Sequence, residues 1–282
     1  MERTALFATA FVAASLTAVL GFWIIPWLKR LKYGQTINEI GPTWHKHKEG
    51  TPAMGGIMFI IGSLAAVAVG YISMVLQIVV AAAYIFAMQR YGGCGTAMFV
   101  PFIGTVEFGL LYYPLMMVAV IGIVNAVNLT DGLDGLASSV TFVVAVGFII
   151  IASLRGFAGT TLFSTAIAAS LIGFLCWNFK PARVFMGDTG SMYLGGAVVA
   201  MAFGVSMQPL MLLSGIVYVG EAFSVMLQVC YFKLTLGKRI FKMSPIHHHF
   251  EMCGWSEEKI IAVFCVVAAA GTALSVLSAV IG

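Results

Sequence analysis

Charge is what this chain lacks. Only 9% of its 282 residues are Asp, Glu, Lys or Arg, against about 25% in a soluble globular domain. That class is excluded, and so is disorder, which needs low hydrophobicity and high charge. The 31 glycines follow no triplet period, so a collagen-like chain is excluded too. Alternation with period two is missing: apolar stretches run for 20 residues or more, which excludes a transmembrane β-barrel. The five cysteines (Cys94, Cys176, Cys230, Cys253, Cys265) form no CxxC pair and no structural-zinc spacing. They read as small core residues rather than a disulfide framework. What is present is 61% hydrophobic residues and a mean hydropathy of +1.01. The class that fits is an all-α polytopic membrane protein, in which about 25 to 30 residues per span and turn give eight to ten helices. The first apolar run exceeds a signal-peptide core and has no small-residue cleavage site after it, so a retained helix is expected, with no appended soluble domain.

Apolar runs fall at 5–28, 53–71, 74–89, 111–127, 139–154, 161–177, 192–206, 209–232 and 259–280, which makes nine. Twelve of the 15 cations collect on three loops: Lys29, Arg30, Lys32, Lys46 and Lys48; Lys180 and Arg183; Lys233, Lys238, Arg239, Lys242 and Lys259. Basic loops stay on the cytoplasmic side. Alternating nine spans from the first basic loop puts the second and third on the wrong side. One further span near residues 71–74 restores parity, and there two runs abut across Gly70, Tyr71, Ile72 and Ser73. The reading is therefore one membrane domain over 1–282 with a helix and its loop missing near 71–74. The alternatives are one long tilted helix over 53–89, or a re-entrant 91–110.

All three aspartates lie in glycine-rich polar segments at expected cytoplasmic helix ends. The first runs from Asn125 to Gly135 and holds Asn128, Asp131, Gly132, Leu133 and Asp134. The second runs from Asn178 to Ser191 and holds Lys180, Arg183, Phe185 and Asp188. A protein so poor in acids gains nothing by placing them beside a bilayer unless they work there. Taken singly, Asn128 and Asp131 read equally well as helix caps, and the glycines as helix ends. Taken together with the nearby cations, they suit Mg²⁺ and phosphate, because Mg²⁺ takes one or two carboxylates plus substrate phosphates.

The five histidines cluster as well: His45 and His47 in the first basic loop, and His247, His248 and His249 in the last. The triplet lacks partners at zinc spacing, so phosphate binding is the better reading, beside chance clustering on a solvated loop. Glu221 stands inside an apolar run. An acid there is a functional candidate, with helix packing against Gln228 an equal alternative.

These segments, with Gly50-Thr51-Pro52-Ala53-Met54-Gly55-Gly56 and Ser244-Pro245-Ile246-His247-His248-His249-Phe250-Glu251, resemble the bacterial phospho-N-acetylmuramoyl-pentapeptide transferases. That family lies within the polyprenyl-phosphate sugar-1-phosphate transferases. The resemblance covers essentially the whole chain and implies a ten-helix Mg²⁺-dependent enzyme of the bacterial cytoplasmic membrane, with its site on the cytoplasmic face. Such an enzyme moves phospho-MurNAc-pentapeptide from UDP-MurNAc-pentapeptide to undecaprenyl phosphate, giving lipid I and UMP in peptidoglycan synthesis. It implies Asp188 as the metal ligand and, with Asp131, His247 and His248, as the catalytic set. Lys48, Thr51, Asn128, Asp131, Gly132, Leu133, Asp134, Phe185 and His247 to His249 would bind substrate. Family members often form homodimers, though no feature of this sequence marks an interface. The basic pI of about 8.8 fits loops near anionic lipid and substrate rather than nucleic acid.

One departure is plain. The family carries a Gly-x-x-Asp-Asp-x-x-Lys motif after its third helix, and no Asp-Asp pair exists here. The break falls between Tyr71 and Met74, where charge parity had already placed it. Three rival readings stand beside this one: a sister enzyme acting on UDP-N-acetylglucosamine, a transporter with polar helix breaks, and a nucleotide-binding remnant without turnover.

Overall fold

A computed structural model describes residues 14–20, 22–27, 30 and 56–281. The motif Gly50–Gly56 apart from its last residue, Lys48, Thr51, His45 and His47 lie outside the described residues. The chain divides into two units, residues 1–79 and 80–282. In the first, residues 14–20 and 22–27 are helical, and a long helix, α1 (Gly56–Tyr91), begins; its last part belongs to the second unit.

The second unit continues with a hairpin, β1 (Ala97–Val100) and β2 (Gly104–Glu107), and then a short 3₁₀ turn at Gly109–Leu111. The helices after it are α2 (Tyr112–Thr130), α3 (Leu136–Leu154), α4 (Ala158–Asn178), α5 (Gly187–Gly204), α6 (Leu210–Ser214), α7 (Ile216–Leu234), α8 (Ile246–Met252) and α9 (Glu257–Ile281). Five stretches among the described residues are long and apolar enough to cross a bilayer: Gly109–Thr130, Leu136–Leu154, Ala158–Asn178, Ile216–Leu234 and Glu257–Ile281. The chain is thus a mostly helical polytopic membrane protein.

Helix α3 is the axis of the second unit. It packs against α4, α5 and α9, while α2 packs against α5 and α7. Val140, Val144, Ala145, Phe148 and Ala152 of α3 have no solvent exposure. Contacts are close where glycine permits. A Cβ on Gly147 would lie 1.9 Å from Thr272 Cγ2 of α9, and one on Gly195 of α5 would lie 2.7 Å from Val124 Cα of α2. Apolar side chains left outside, such as Leu162, Ile172, Val266 and Val280, are what a lipid-facing surface requires.

The structure departs from the sequence reading at four places. First, the runs at 53–71 and 74–89 form one continuous 36-residue helix, α1, in line with the alternative of a single long helix over 53–89 rather than two spans. Gly70 and Ser73 cost a helix at most about 1 kcal/mol each, and no proline interrupts it. Second, the run at 209–232 breaks at Gly215 into α6 and α7, with the Gly215 amide closing on Met211 O at 3.1 Å. Third, the all-α expectation missed the hairpin. Its strands pair Ala97 with Glu107 and Val100 with Gly104 around a three-residue loop, in which Phe102 takes φ 63°. Four-residue strands are too short to show a period of two, although Pro101 and Gly104 are turn residues. Fourth, Cys176, Cys230 and Cys253 are exposed rather than core; only Cys94 is buried.

Candidate active site

Because α2 runs toward Asp131 and α3 starts back from Gly135, the first acidic segment is a tight reversal at one end of the bundle. Gly135 makes the turn with φ 76°, a left-handed conformation that glycine adopts without steric cost. Helix α4 returns the chain to the same end, so the second segment meets the first. Ser138 Oγ donates to Asn178 Oδ1 at 2.9 Å, and Asn178 Nδ2 donates to Val184 O at 2.9 Å. The Ala182 amide donates to Asp134 Oδ2 at 2.9 Å. These bonds fix the path between α4 and α5, which includes the cis Lys180–Pro181 peptide. Lys180 turns to Glu257 (3.0 Å) and Glu258 (3.7 Å) at the start of α9, and the hydrogen bond it donates to Glu257 raises its pKa.

Asp188 enters the site from the first turn of α5, where the helix dipole favours a carboxylate. Asn128 Nδ2 reaches it across the reversal, donating to Asp188 Oδ1 at 3.2 Å and to Ser191 Oγ at 2.8 Å. The side chain of Asn128 therefore does not cap its own helix. Asp131 occupies the C-cap position of α2, with its amide bonded to Asn128 O at 3.2 Å. Its carboxyl pKa is raised to about 6, first by burial and then by the like charge of Asp188. A half-buried carboxyl beside the charge of Asp188 forms a place where a divalent cation is welcome. Among the described residues no cluster of three or more His, Cys, Asp or Glu forms a closed cage.

The histidine segment comes from the opposite side. Gln228 of α7 accepts the amides of Ile240 (3.1 Å) and Phe241 (2.9 Å), and so ties down the loop that leads to α8. Helix α8 then lays His247 on the first segment: a Cβ on Gly132 would lie 2.2 Å from His247 Nε2. His247 is fully buried, and its Nδ1 stands 3.0 Å from Oε2 of the equally buried Glu221. The two are within ion-pair distance without being aligned as a hydrogen bond, and His247 Nε2 has no protein partner. The His248 ring lies 4.1 Å from that of His247, centroid to centroid, and its Nδ1 pairs with Glu251. His249 turns away: its Nδ1 accepts the Lys242 amide at 3.1 Å, and its Nε2 lies 3.8 Å from Cys253 Sγ.

Asn128, Asp131, Gly132, Asp134, Asp188, His247 and His248 thus assemble at one end of the bundle. Leu133 packs against the core, and Phe185 projects at 73% exposure. The sequence reading missed Ser138 and the supporting role of Asn178 and Ser191, named only as segment ends, and of Gln228, named only as a packing partner of Glu221: all four hold the loops in place. The one signal they gave was a polar side chain within an apolar run, at a spacing from the acids that only the fold turns into contact.

The chain matches known families over most of its length. The model of glycosyl transferase family 4 matches residues 53–206. A phospho-N-acetylmuramoyl-pentapeptide-transferase of Clostridium perfringens (strain 13 / Type A) is 42% identical over 299 aligned positions, covering 92% of each chain. Its namesake in Heliobacterium modesticaldum is 40% identical, covering 96% of this chain and 97% of its own. That of Clostridioides difficile (strain 630) is 40% identical, covering 94% of each. In the first of these, 92% of 282 residues is about 259, so about 40 of the 299 positions stand opposite no residue of this chain.

Proposed function

The chain belongs to glycosyl transferase family 4, among the phospho-N-acetylmuramoyl-pentapeptide transferases, and from that membership we propose the reaction in full, the metal and the part each residue plays. The protein transfers phospho-MurNAc-pentapeptide from UDP-MurNAc-pentapeptide to undecaprenyl phosphate in peptidoglycan synthesis. In net terms a P–O bond forms between the lipid phosphate and the sugar-linked phosphorus, the bond to UMP breaks, and lipid I is the product. The observation that carries this reading is the meeting of Asp131, Asp188 and His247 Nε2 at one end of an otherwise apolar bundle. There a nucleotide from water and a phosphate on a lipid tail can reach the same point. The basic residues at that end, Lys180, Arg183, Lys238, Arg239 and Lys242, support a site on the cytoplasmic face of the bacterial cytoplasmic membrane.

Asp188 would hold Mg²⁺, with Asp131 beside it, and the chemistry such an ion would supply is neutralisation of phosphate charge during the transfer. Asn128 fixes the Asp188 carboxylate through Oδ1, and Asp134 anchors the loop whose Phe185 stacks on uracil. Gly132 and Leu133 give the nucleotide a close backbone approach. His247 and His248 take phosphate or sugar oxygens, while His249 orders the loop behind them. Lys48 and Thr51, outside the described residues, carry over from the resemblance as groups that would assist the pyrophosphate. If Asp188→Asn released UMP at the normal Mg²⁺-dependent rate, the metal assignment would be wrong.

A second reading is favoured by two observations, the absent Asp-Asp pair and the deficit of about 40 aligned positions. A deficit of that size is one span of about 20 residues plus a loop. We place it between Tyr71 and Met74. Helix α1 supports that position: at about 1.5 Å per residue its 36 residues run about 54 Å, well beyond a hydrocarbon core of about 30 Å. Two spans joined after loss of the segment between them would produce such a helix. Without the pair, the chain is a nucleotide-binding remnant. Intact mass decides: 30.1 kDa with no UMP release is the remnant, and a mass several kilodaltons higher, with release, is the complete enzyme.

A further inference from the structure

We propose that Glu221 is a positioning residue for the transfer reaction, fixing His247 so that Nε2 alone is offered to the substrate. The inference rests on the site reading above and goes beyond it to a residue within a predicted span.

Glu221 is fully buried in α7, two turns before Gln228 and remote in sequence from the loop it serves. An acid at that depth is costly unless a partner compensates it. Among the described residues it forms one ion pair, with His247, Nδ1 to Oε2 at 3.0 Å. His247 Nε2 points the other way, onto Gly132 in the Asp131–Asp134 reversal, and is buried without a protein partner. A buried polar atom without a partner is rare in a native interior. Here it adjoins the acidic segment, so a substrate hydroxyl that donates to it is its natural partner.

A neutral imidazole carries its proton on one nitrogen, and the bond made by the other nitrogen selects which. Nδ1 and Oε2 lie 3.0 Å apart without hydrogen-bond alignment, and both Glu221 oxygens are otherwise unpartnered. A carboxylate so placed can only accept, so a small turn of the ring lets it hold the proton on Nδ1 and leave the Nε2 lone pair free. If Nε2 then takes a proton from the substrate side, the cation is compensated by the same carboxylate. Removal of that acceptor at constant shape reverses the tautomer, since an amide NH₂ donates to Nδ1 and drives the proton to Nε2. Glu251 stands in the same relation to Nδ1 of His248, whose ring packs on His247. Both imidazoles are therefore oriented from behind by an acid, and Glu221 is the one that lies within the membrane-spanning part.

The test uses the purified full chain with UDP-MurNAc-pentapeptide and undecaprenyl phosphate. Glu221→Gln keeps the volume and removes a buried charge, so a packing role predicts an unchanged or more stable, active protein. The positioning role predicts a fall in kcat for UMP release of about 100-fold with KM changed less than about threefold, as for other groups that orient a functional imidazole. Glu221→Asp keeps an acceptor and should recover to within about tenfold of the parent. A second readout is independent of turnover: ¹⁵N spectra of the histidines at about pH 9, well above the ordinary imidazole pKa of about 6.5, with the His247 signal identified by its loss in His247→Gln. The parent should carry its proton on Nδ1 and Glu221→Gln on Nε2. A parent protonated at Nε2, or a Glu221→Gln variant with parental kcat, overturns the proposal. Absence of UMP release from the parent overturns the functional reading instead, and the spectra then decide the role of Glu221.

Discussion

Gly132→Ala tests the contact on which the site depends. Nothing about the backbone forbids the change, because Gly132 does not sit in the left-handed region. The obstacle is the His247 ring. A methyl at Gly132 would lie 2.2 Å from Nε2 and 2.8 Å from Cε1, against 3.4 Å for ordinary contact, so the ring must retreat by about 1 Å. It has nowhere to go: Glu221 stands 3.0 Å behind Nδ1, and the His248 ring lies at 4.1 Å. Overpacking a buried site of this kind costs about 1–3 kcal/mol, and a displacement of about 1 Å at a positioning group costs about 100-fold in rate. Initial rates of UMP release at saturating substrates, with a melting curve beside them, should therefore show a fall in kcat of that order and a lowered midpoint. Gly122→Ala is the control, since it lies on α2, the helix that leads to this reversal, with nothing within 4 Å; it should keep full activity and melt no lower, as alanine suits a helix better than glycine. A Gly132→Ala protein with parental kcat would refute the argument that His247 is pinned against this reversal.

Gly147→Ala should lower the melting midpoint through its 1.9 Å clash with Thr272 Cγ2, at a cost of about 1–3 kcal/mol, and Thr272→Ser, which removes that methyl, should restore most of it. Asp188→Asn should abolish Mg²⁺-dependent UMP release while leaving the melting curve near that of the parent. The raised Asp131 pKa has a definite sign in stability: between its ordinary 3.8 and about 6 the folded chain holds a proton that the unfolded chain gives up. Its contribution is therefore fully present below about 4 and is lost as pH rises through about 6. Infrared titration of the carboxyl band should place the midpoint near 6 and, in Asp188→Asn, show it moved down but still above 3.8, because burial remains.

The amphipathic signals that guide reading of a soluble chain are weak here, and what replaced them was the position of the rare polar residues. The reversal at Asp131–Gly135, the loop from Asn178 to Asp188 and the turn into His247 were all legible, because an apolar chain shows every polar break. Helices α2, α3, α4, α5 and α9 begin and end within a few residues of the runs that predicted them. The break at Gly215 was not legible: Leu210 to Val219 is apolar on both sides of it, and only packing of α6 against α9 shows why two helices are needed. The partner of Glu221 was hidden for a different reason. It lies 26 residues away across a loop, and no periodicity connects a mid-helix acid to a histidine in another element. The bland reading of Asn128 as a cap failed on geometry, since its amide reaches Asp188 and Ser191 instead.

The way the acids are distributed also explains how the site is kept rigid with so few polar residues. Each acid at this end has one visible task. Asp134 holds an amide, Asp188 meets Asn128, Glu221 and Glu251 each face an imidazole Nδ1, and Glu257 and Glu258 hold Lys180. Asp131 alone is described by no such bond to its carboxyl, only by burial and by repulsion from Asp188. In a bundle where the unpaired burial of a charge is costly, the acid left in that state is the one whose partner comes from outside the chain. The same logic applies to His247 Nε2, the buried nitrogen that faces the acids and is matched by no protein group. Substrate or cation binding should therefore stabilise the fold. Mg²⁺ together with UDP-MurNAc-pentapeptide is expected to raise the melting midpoint in proportion to the logarithm of ligand concentration, and Asp131→Asn, which removes the repulsion, should raise the midpoint of the free protein while flattening that dependence.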